Sequence, residues 1–352
     1  MIQVTARKLG ISATATPAAN DKALTNAVNS LDDGSVIRFT TSFYPFDEGV
    51  LCLRGKLSFV GNRKSLLTYN SQSGSGSVIR IGDVSAPPSV PIANVSVQGL
   101  MFKDLNPTPL PDRGHNPAAV DALWVEDFLC EYCSFENVKG NSCLNVLGLM
   151  QNNVTPISQR CTIRYCDCNG DVQGDGINAQ GMYELTLVGN TTDGGLRRHF
   201  LECGAGVHLL TVDSNRANMQ GKGKCCLASF TVVERGTVTR NQFTDWGAEY
   251  SAIEVNPDRP ELPVNNLTVS GNELASTYSG LAAIALNDGA LNNHRYVRNT
   301  FRCILPFSVD KRPVDPFVID DNDHYPDQDG RAFVVPADTK FTGTNRTHAR
   351  AA

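Results

Sequence analysis

The chain has 352 residues, a formal net charge of -5 at pH 7, 30 glycines and only 7% aromatic residues. It has no basic footprint for nucleic acid and no apolar run near the ~20 residues a membrane helix needs, so neither partner is expected. The start, MIQVTARKLGISATAT, lacks the charged segment, apolar block and cleavage site of a secretory signal; this predicts synthesis and folding in a cytoplasm.

In chain order, residues 20–31 place Leu24, Ala27, Val28 and Leu31 on one helical face, with Asn20 or Asp21 as the cap. Such a helix before a run of short strands reads as a lid over unpaired strand edges. Strand GSVIRF follows, and then one unit recurs: apolar, any, apolar, any, any, Asn or Cys, any, apolar or small. Its sixth position falls at Asn62, Leu100, Cys133, Cys166, Asn190, Asn215, Asn241, Asn272 and Asn299, in steps of 38, 33, 33, 24, 25, 26, 31 and 27 residues. Periods of 20 to 50 residues mark solenoids, whose units bury their apolar faces only by stacking. Alternation at period two makes the units strands. Asn at one register tolerates the left-handed region and can bond to its own backbone or to the amide above.

These repeats resemble the right-handed parallel β-helix (pectate-lyase-like) superfamily with its Asn ladder, to which pectate lyases, polygalacturonases, epimerases and phage tailspike depolymerases belong. The resemblance covers about residues 20 to 310. It implies an all-β, single-stranded right-handed parallel β-helix of about nine to ten coils, with residues 1–50 as amino-terminal segment and capping helix, 51–302 as the helix, and 303–352 as a carboxy-terminal cap or oligomer contact. After Phe301 the periodicity fades into IDDNDHYPDQDGRAF, where Asp327, Asp329 and Gly330 form an incomplete calcium loop and read better as a solvated turn.

Eleven cysteines leave at least one unpaired. Several take inward or ladder registers, as buried reduced thiols do; a Cys133–Cys166 disulfide is the alternative. Cys130 and Cys133 have no second pair or histidines at zinc spacing, and phosphate-loop and dinucleotide fingerprints are missing. No metal and no cofactor is expected. Inserts between coils, such as Asn106–Pro117 and Asn256–Pro263, either build a cleft on one side or reflect variable loop length.

Catalytic groups on such a scaffold belong on outward positions of the strand preceding each ladder strand: ALWVED, CLNVL, GINAQ, GVHLL, CLASF, AIEVN and AIALND. Asp171, Asp175 and Asp193 cluster in sequence with Arg197, Arg198, His199 and His208. Glycoside hydrolysis needs an acid and a base carboxyl about 5 to 9.5 Å apart. The segment DGIN at Asp175–Asn178 and Asp193-Gly194-Gly195 resemble the polygalacturonase motifs, which implies catalytic roles for Asp175 and Asp193. The sequence departs from that family: one Asp stands where it has two, and Gly204-Ala205-Gly206 replaces Gly-His-Gly. Asp beside Gly is also a common turn pair. A second group, Asp245, Trp246, Glu249, Tyr250, Glu254, Asp258 and Arg259, suits a sugar site, where rings stack on pyranose faces and acids bond hydroxyls. Glu254 is outward if Ile253 and Val255 point in, although an exposed strand Glu explains it equally.

The expected function is binding and cleavage of a polysaccharide (capsule, lipopolysaccharide or polyuronate) by paired carboxylates. Asp175, Asp193 and Glu254 would be catalytic, with Asp171, Arg197, His199, His208, Trp246, Tyr250, Asp258 and Arg259 binding substrate. The tailspike resemblance implies a virion-associated homo-oligomer, a trimer in that family. Two alternatives stand: a non-catalytic virion or surface protein using the solenoid as a rod, and a uronate lyase or epimerase drawing its base from Lys222, Lys224, Arg235, His208 or Tyr250.

Overall fold

Strands too short to be stable alone must stack, and in the computed structural model those of the two large sheets do so in parallel. Leu185 pairs with Cys161 before it and Leu210 after it, and Leu210 pairs in turn with Gly236. The result is a right-handed parallel β-helix with, among the described residues, a single α-helix, near its amino end. The structure describes residues 2–40, 43–71, 77–83, 88–108, 118–148, 150–151, 155–156, 158–228, 231–256, 264–278, 281–287, 291–309, 314–326 and 344–348. The stretch Asp327–Gly330 lies outside them.

Each coil contributes to two sheet systems. One is a parallel sheet of ten strands: Val50–Cys52, Ile79–Ile81, Ala118–Leu123, Ser142–Leu147, Asp175–Gln180, Leu201–Gly204, Leu227–Ala228, Ile253–Val255, Ala282–Leu286 and Leu305–Val309. The other is bent at the ladder, so a coil gives it two strands, as with Glu184–Val188 and Thr191–Asp193 on either side of Asn190. The core is a set of inward stacks, among them Val120, Leu144, Ile177, Leu201, Leu227, Ile253, Ile284 and Phe307, all buried.

The ladder is continuous. Asn190, Asn215, Asn241, Asn272, Asn299 and Asn322 each donate Nδ2 to Oδ1 of the next Asn, at 2.9 to 3.0 Å, ending on Asn345. Each Nδ2 also reaches a backbone carbonyl of the preceding coil, such as Ile163 O from Asn190 at 3.0 Å. The coils therefore run on past Phe301, through strands Val314–Asp320, Asp323–His324 and Arg346–Thr347.

Three sequence expectations need correction here. The left-handed residue is not the Asn but the one before it: Gly99, Tyr132, Tyr165, Gly189, Ser214, Arg240, Gly271, Arg298 and Asp321 have φ between 49° and 64°. The ladder position of the first coil is Ser65, which pairs with Leu100 and donates to Phe39 O at 2.7 Å; Asn62 is exposed in an irregular stretch of the strand Leu57–Tyr69. The helix is Pro17–Ser30, capped by Thr16, whose hydroxyl accepts from Ala19 N–H at 3.3 Å. Asn20 and Asp21 are buried and tie it to the first coil instead: Asn20 donates to Pro45 O at 2.8 Å, and Asp21 accepts from Glu48 N and Gly49 N at 2.9 Å. Leu24, Ala27 and Val28 do face the core.

All eleven cysteines are free and buried. Cys133 and Cys166 occupy ladder positions, where the Cys133 thiol reaches Val97 O at 3.5 Å, as an amide does elsewhere.

Candidate functional site

Because Ile253 and Val255 point inward, Glu254 points out, and register extends that statement to a row. Asp121, Asn145, Asn178, Glu202, Ala228, Glu254, Ala285 and Ser308 are mutual partners on successive strands of the ten-stranded sheet. A second row, at the corner where each of these strands begins, holds Asp175, His199 and Cys225, linked through His199 N–H to Asp175 Oδ1 (2.9 Å) and Cys225 N–H to His199 Nδ1 (3.3 Å).

The two rows meet at Asp175 and Glu202. Asp175 is fully buried, and its Oδ2 has no hydrogen-bond partner although Arg198 Nη1 lies 3.2 Å away. The same guanidinium reaches Glu202 Oε2 at 3.3 Å, so it bridges both carboxylates. Burial raises the Asp175 carboxyl well above its ordinary value; the neighbouring Glu202 charge adds to the rise and Arg198 opposes it. Burial and the Glu202 charge both favour the protonated form of Asp175, and a proton would give its otherwise unbonded Oδ2 a donor. His199, buried and beside Arg198 and Lys224, has its pKa lowered to about 3 and is neutral near pH 7.

Two coils further on the arrangement repeats with different chemistry. Glu254 Oε2 accepts from the Cys225 thiol at 3.1 Å and Oε1 from Asn287 Nδ2 at 2.9 Å. Ala228 separates Glu202 from Glu254 in the row, so two strand spacings, about 9.6 Å, divide the two backbones. At the edge, Lys224 N–H donates to Arg198 O at 2.9 Å and its ammonium lies 5.6 Å from the Tyr250 ring centroid.

Asp175, His199 and Glu202 are also the one group with metal-ligand spacing among the described residues, their ligand atoms lying within 4.8 Å of one another. The Arg198 guanidinium already neutralises that group.

The structure thus joins Asp175, His199, Tyr250 and Glu254 on one face and separates the rest. Asp193 lies in Thr191–Asp193 on the bent sheet, lining a groove of about 490 Å³ with Asn169, Arg216 and Asn218, so it is not the partner of Asp175. His208 is likewise on that sheet, bonded through Nδ1 to Glu234 at 3.0 Å and stacked on Tyr183. Trp246 is fully buried in the core and offers no face to a sugar. Asp171 is half-exposed at a turn, held by Lys139 at 2.5 Å and Arg197 at 3.3 Å. Asp258 and Arg259 lie outside the described residues. Sequence reasoning misses Glu202 because GVHLL reads as this coil's strand, whereas Val207–Asp213 belongs to the bent sheet and Leu201–Gly204 to the ten-stranded one. The alternation Leu201, Glu202, Cys203 was the available signal.

No protein-family model matches the chain, and no curated protein matches it in sequence. Solved structures do match in fold. PfbA, a surface protein and adhesin of Streptococcus pneumoniae, matches at TM-score 0.62 and 13% identity over 99% of this chain and 98% of its own. A hyperthermoactive exopolygalacturonase from Thermotoga maritima matches at 0.63 and 8% over 99% and 92%. A DFA-IIIase from Arthrobacter chlorophenolicus A6 matches at 0.56 and 14% over 99% and 86%. At these identities the likeness establishes the right-handed parallel β-helix fold.

Proposed function

We propose that the protein hydrolyses glycosidic bonds of a polysaccharide laid along the outer face of the ten-stranded sheet. The observation that carries this reading is the Asp175–Glu202 pair on Arg198, with Glu254 two strands away on the same row. The pair holds one proton. Glu202, whose side chain is 13% exposed, receives it from buried Asp175 and passes it to the leaving oxygen; the pair is left ionised beside Arg198 and regains a proton from solvent, to which Glu254 releases the one it takes from water. Glu254 serves as base for water on the far side of the sugar. The Glu202 and Glu254 backbones stand about 9.6 Å apart across Ala228, a wide separation that suits an inverting site with a water between the carboxyls rather than a retaining one. Lys224 gives the groove a basic edge that favours an acidic sugar, and one structural neighbour is named an exopolygalacturonase.

A second reading, a non-catalytic binding surface, is favoured by the likeness to an adhesin over nearly the whole of both chains. Eleven free buried cysteines support folding in a reducing compartment; that the protein is carried on a virus particle as a homotrimer is our reading from the tailspike resemblance alone.

The test is incubation with capsular, lipopolysaccharide, polygalacturonate and fructan substrates, reading new reducing ends and ultraviolet absorbance of unsaturated products. Reducing ends without absorbance support hydrolysis. Absorbance means a lyase and discards the acid pair, and silence across the panel favours the binding surface.

A further inference from the structure

Several arginines of the bent sheet pair with a carboxylate of the coil before them: Arg160 with Asp127 at 2.7 Å, Arg164 with Glu131 at 2.7 Å and Arg240 with Asp213 at 2.5 Å. Arg63 departs from that habit and makes no ion pair among the described residues. It stands in the stretch Gly61 to Lys64, which lies opposite the single residue Gly99 of the next coil, and it takes a left-handed φ of 63°. The stretch is seated closely: a Cβ on Gly61 would meet Gly99 O at 2.4 Å. Gly99 puts no side chain in the way, so Arg63 reaches past it to the following coil. There its guanidinium carbon lies 3.9 Å from the centroid of the Tyr132 ring, and Tyr132 stacks in turn on Tyr165, with centroids 5.2 Å apart and 13° between planes. Both tyrosines are exposed, at 38% and 45%, and both hold a φ of 55°, which is unfavourable for a bulky residue. The ring pair ties together the two coils whose ladder residues are Cys133 and Cys166. That tie accounts for the rings but leaves the Arg63 charge fixed in place and unanswered.

A guanidinium stacked by its face keeps its N–H groups free in the plane, ready for the two oxygens of a carboxylate. Arg63 and Tyr132 line two adjoining depressions, one of about 400 Å³ with Gln98 and Glu131, the other of about 270 Å³ with Met101, Ser134 and Asp167. Glu131 is already engaged by Arg164, and Asp167 accepts from the Thr191 hydroxyl. We propose that Arg63, set on Tyr132 and Tyr165, is a second saccharide site that takes the carboxylate of an acidic sugar. Arg63 holds the carboxylate through paired N–H···O bonds. Gln98, Ser134 and Asp167 bond hydroxyls in the depressions on either side, and Met101 with the exposed tyrosine edges covers the C–H face of a ring. A bare phosphate or sulfate would satisfy Arg63 and make no use of the depressions. The site shares no residue with the ten-stranded sheet, so it stands apart from the hydrolase reading.

The test is fluorescence anisotropy of a labelled galacturonate tetramer titrated with wild type, Arg63→Gln, Arg63→Lys and Arg240→Gln. A neutral galactose tetramer and inorganic sulfate serve as competitors, thermal unfolding verifies the fold of each variant, and new reducing ends are read in parallel. Arg63→Gln should lose about 10-fold or more in affinity while any cleavage keeps its wild-type rate. Arg63→Lys should recover only part, because an ammonium lacks the planar fork, and Arg240→Gln should match the wild type. Loss of binding in Arg63→Gln by a protein that cleaves nothing would leave this site standing and count against the hydrolase alone. An unchanged isotherm in folded Arg63→Gln, or no binding of the tetramer by wild type, would overturn the site. Competition by sulfate or by the neutral tetramer as strong as that of unlabelled galacturonate tetramer would overturn its assignment to an acidic sugar.

Discussion

Asp175→Asn separates what this carboxyl does for the fold from what it does for the reaction. Burial raises the folded-state pKa of Asp175 above its ordinary 3.8, so the native state binds more protons than the unfolded chain above that pH. Stability from this group is therefore fully present at low pH and is lost as pH rises from 3.8 toward the raised folded value. Each pH unit of that window is worth at most about 1.4 kcal/mol. Asn keeps the acceptor for His199 N–H and places an N–H where the shared proton stood, facing Glu202. What it loses is attraction to Arg198 at 3.2 Å. The variant should equal the wild type near pH 4 and be more stable by about 1–3 kcal/mol at pH 8, measured by urea denaturation at both values. It should also lose about 10²–10⁴-fold in turnover, the usual worth of a proton donor. Destabilisation by several kcal/mol at both pH values would show that Asp175 is an ionised structural partner of Arg198, and the proton-sharing argument would fail.

Other predictions follow from the same geometry. Asn215→Ala strips the donor from Leu187 O and the acceptor from Asn190 N and Nδ2; a loss of about 3–5 kcal/mol in urea denaturation is expected from the buried groups left unpaired. Trp246→Ala should cost about 3–5 kcal/mol as a core cavity, and selective loss of glycan binding in a stable variant would restore its role as a sugar platform. His199, with a folded value of about 3 against an ordinary 6.5, contributes stability that is complete above pH 6.5 and fades as pH falls toward 3. His199→Asn should flatten the stability–pH curve in that window while leaving it unchanged at pH 8. In native protein the eleven cysteines, all buried, should resist a thiol reagent and react together only on unfolding.

The fold was legible because its determinants are local and repeated: apolar alternation at Leu185 and Leu187, then a small residue, then Asn190. Legibility failed where the repeat carries an insertion, as at Gly61 to Lys64, which moves the ladder from Asn62 to Ser65. It failed again beyond Phe301, where charged neighbours disguise Asn322 and Thr-rich ones disguise Asn345. The site was half legible. Glu254 could be placed from the alternation of its own strand, and Asp175 from its neighbours in sequence. Pairing Asp175 with Asp193 required knowing which sheet each strand joins, and that depends on where the coil turns. Glu202 sits in a strand of four residues, Leu201–Gly204, too short to stand out beside the longer Val207–Asp213. The burial of Trp246 likewise depends on contacts between coils that sequence spacing does not show.

The measurement that tests the central claim most directly is the rate of reducing-end release by wild type, Glu202→Gln and Glu254→Gln, run side by side on any polysaccharide the wild type cleaves, with folding of each variant verified. The account predicts losses of about 10²-fold or more for both variants, with the configuration at the new reducing end inverted. Wild-type rates in a folded Glu202→Gln protein would contradict it and move the chemistry away from the ten-stranded sheet.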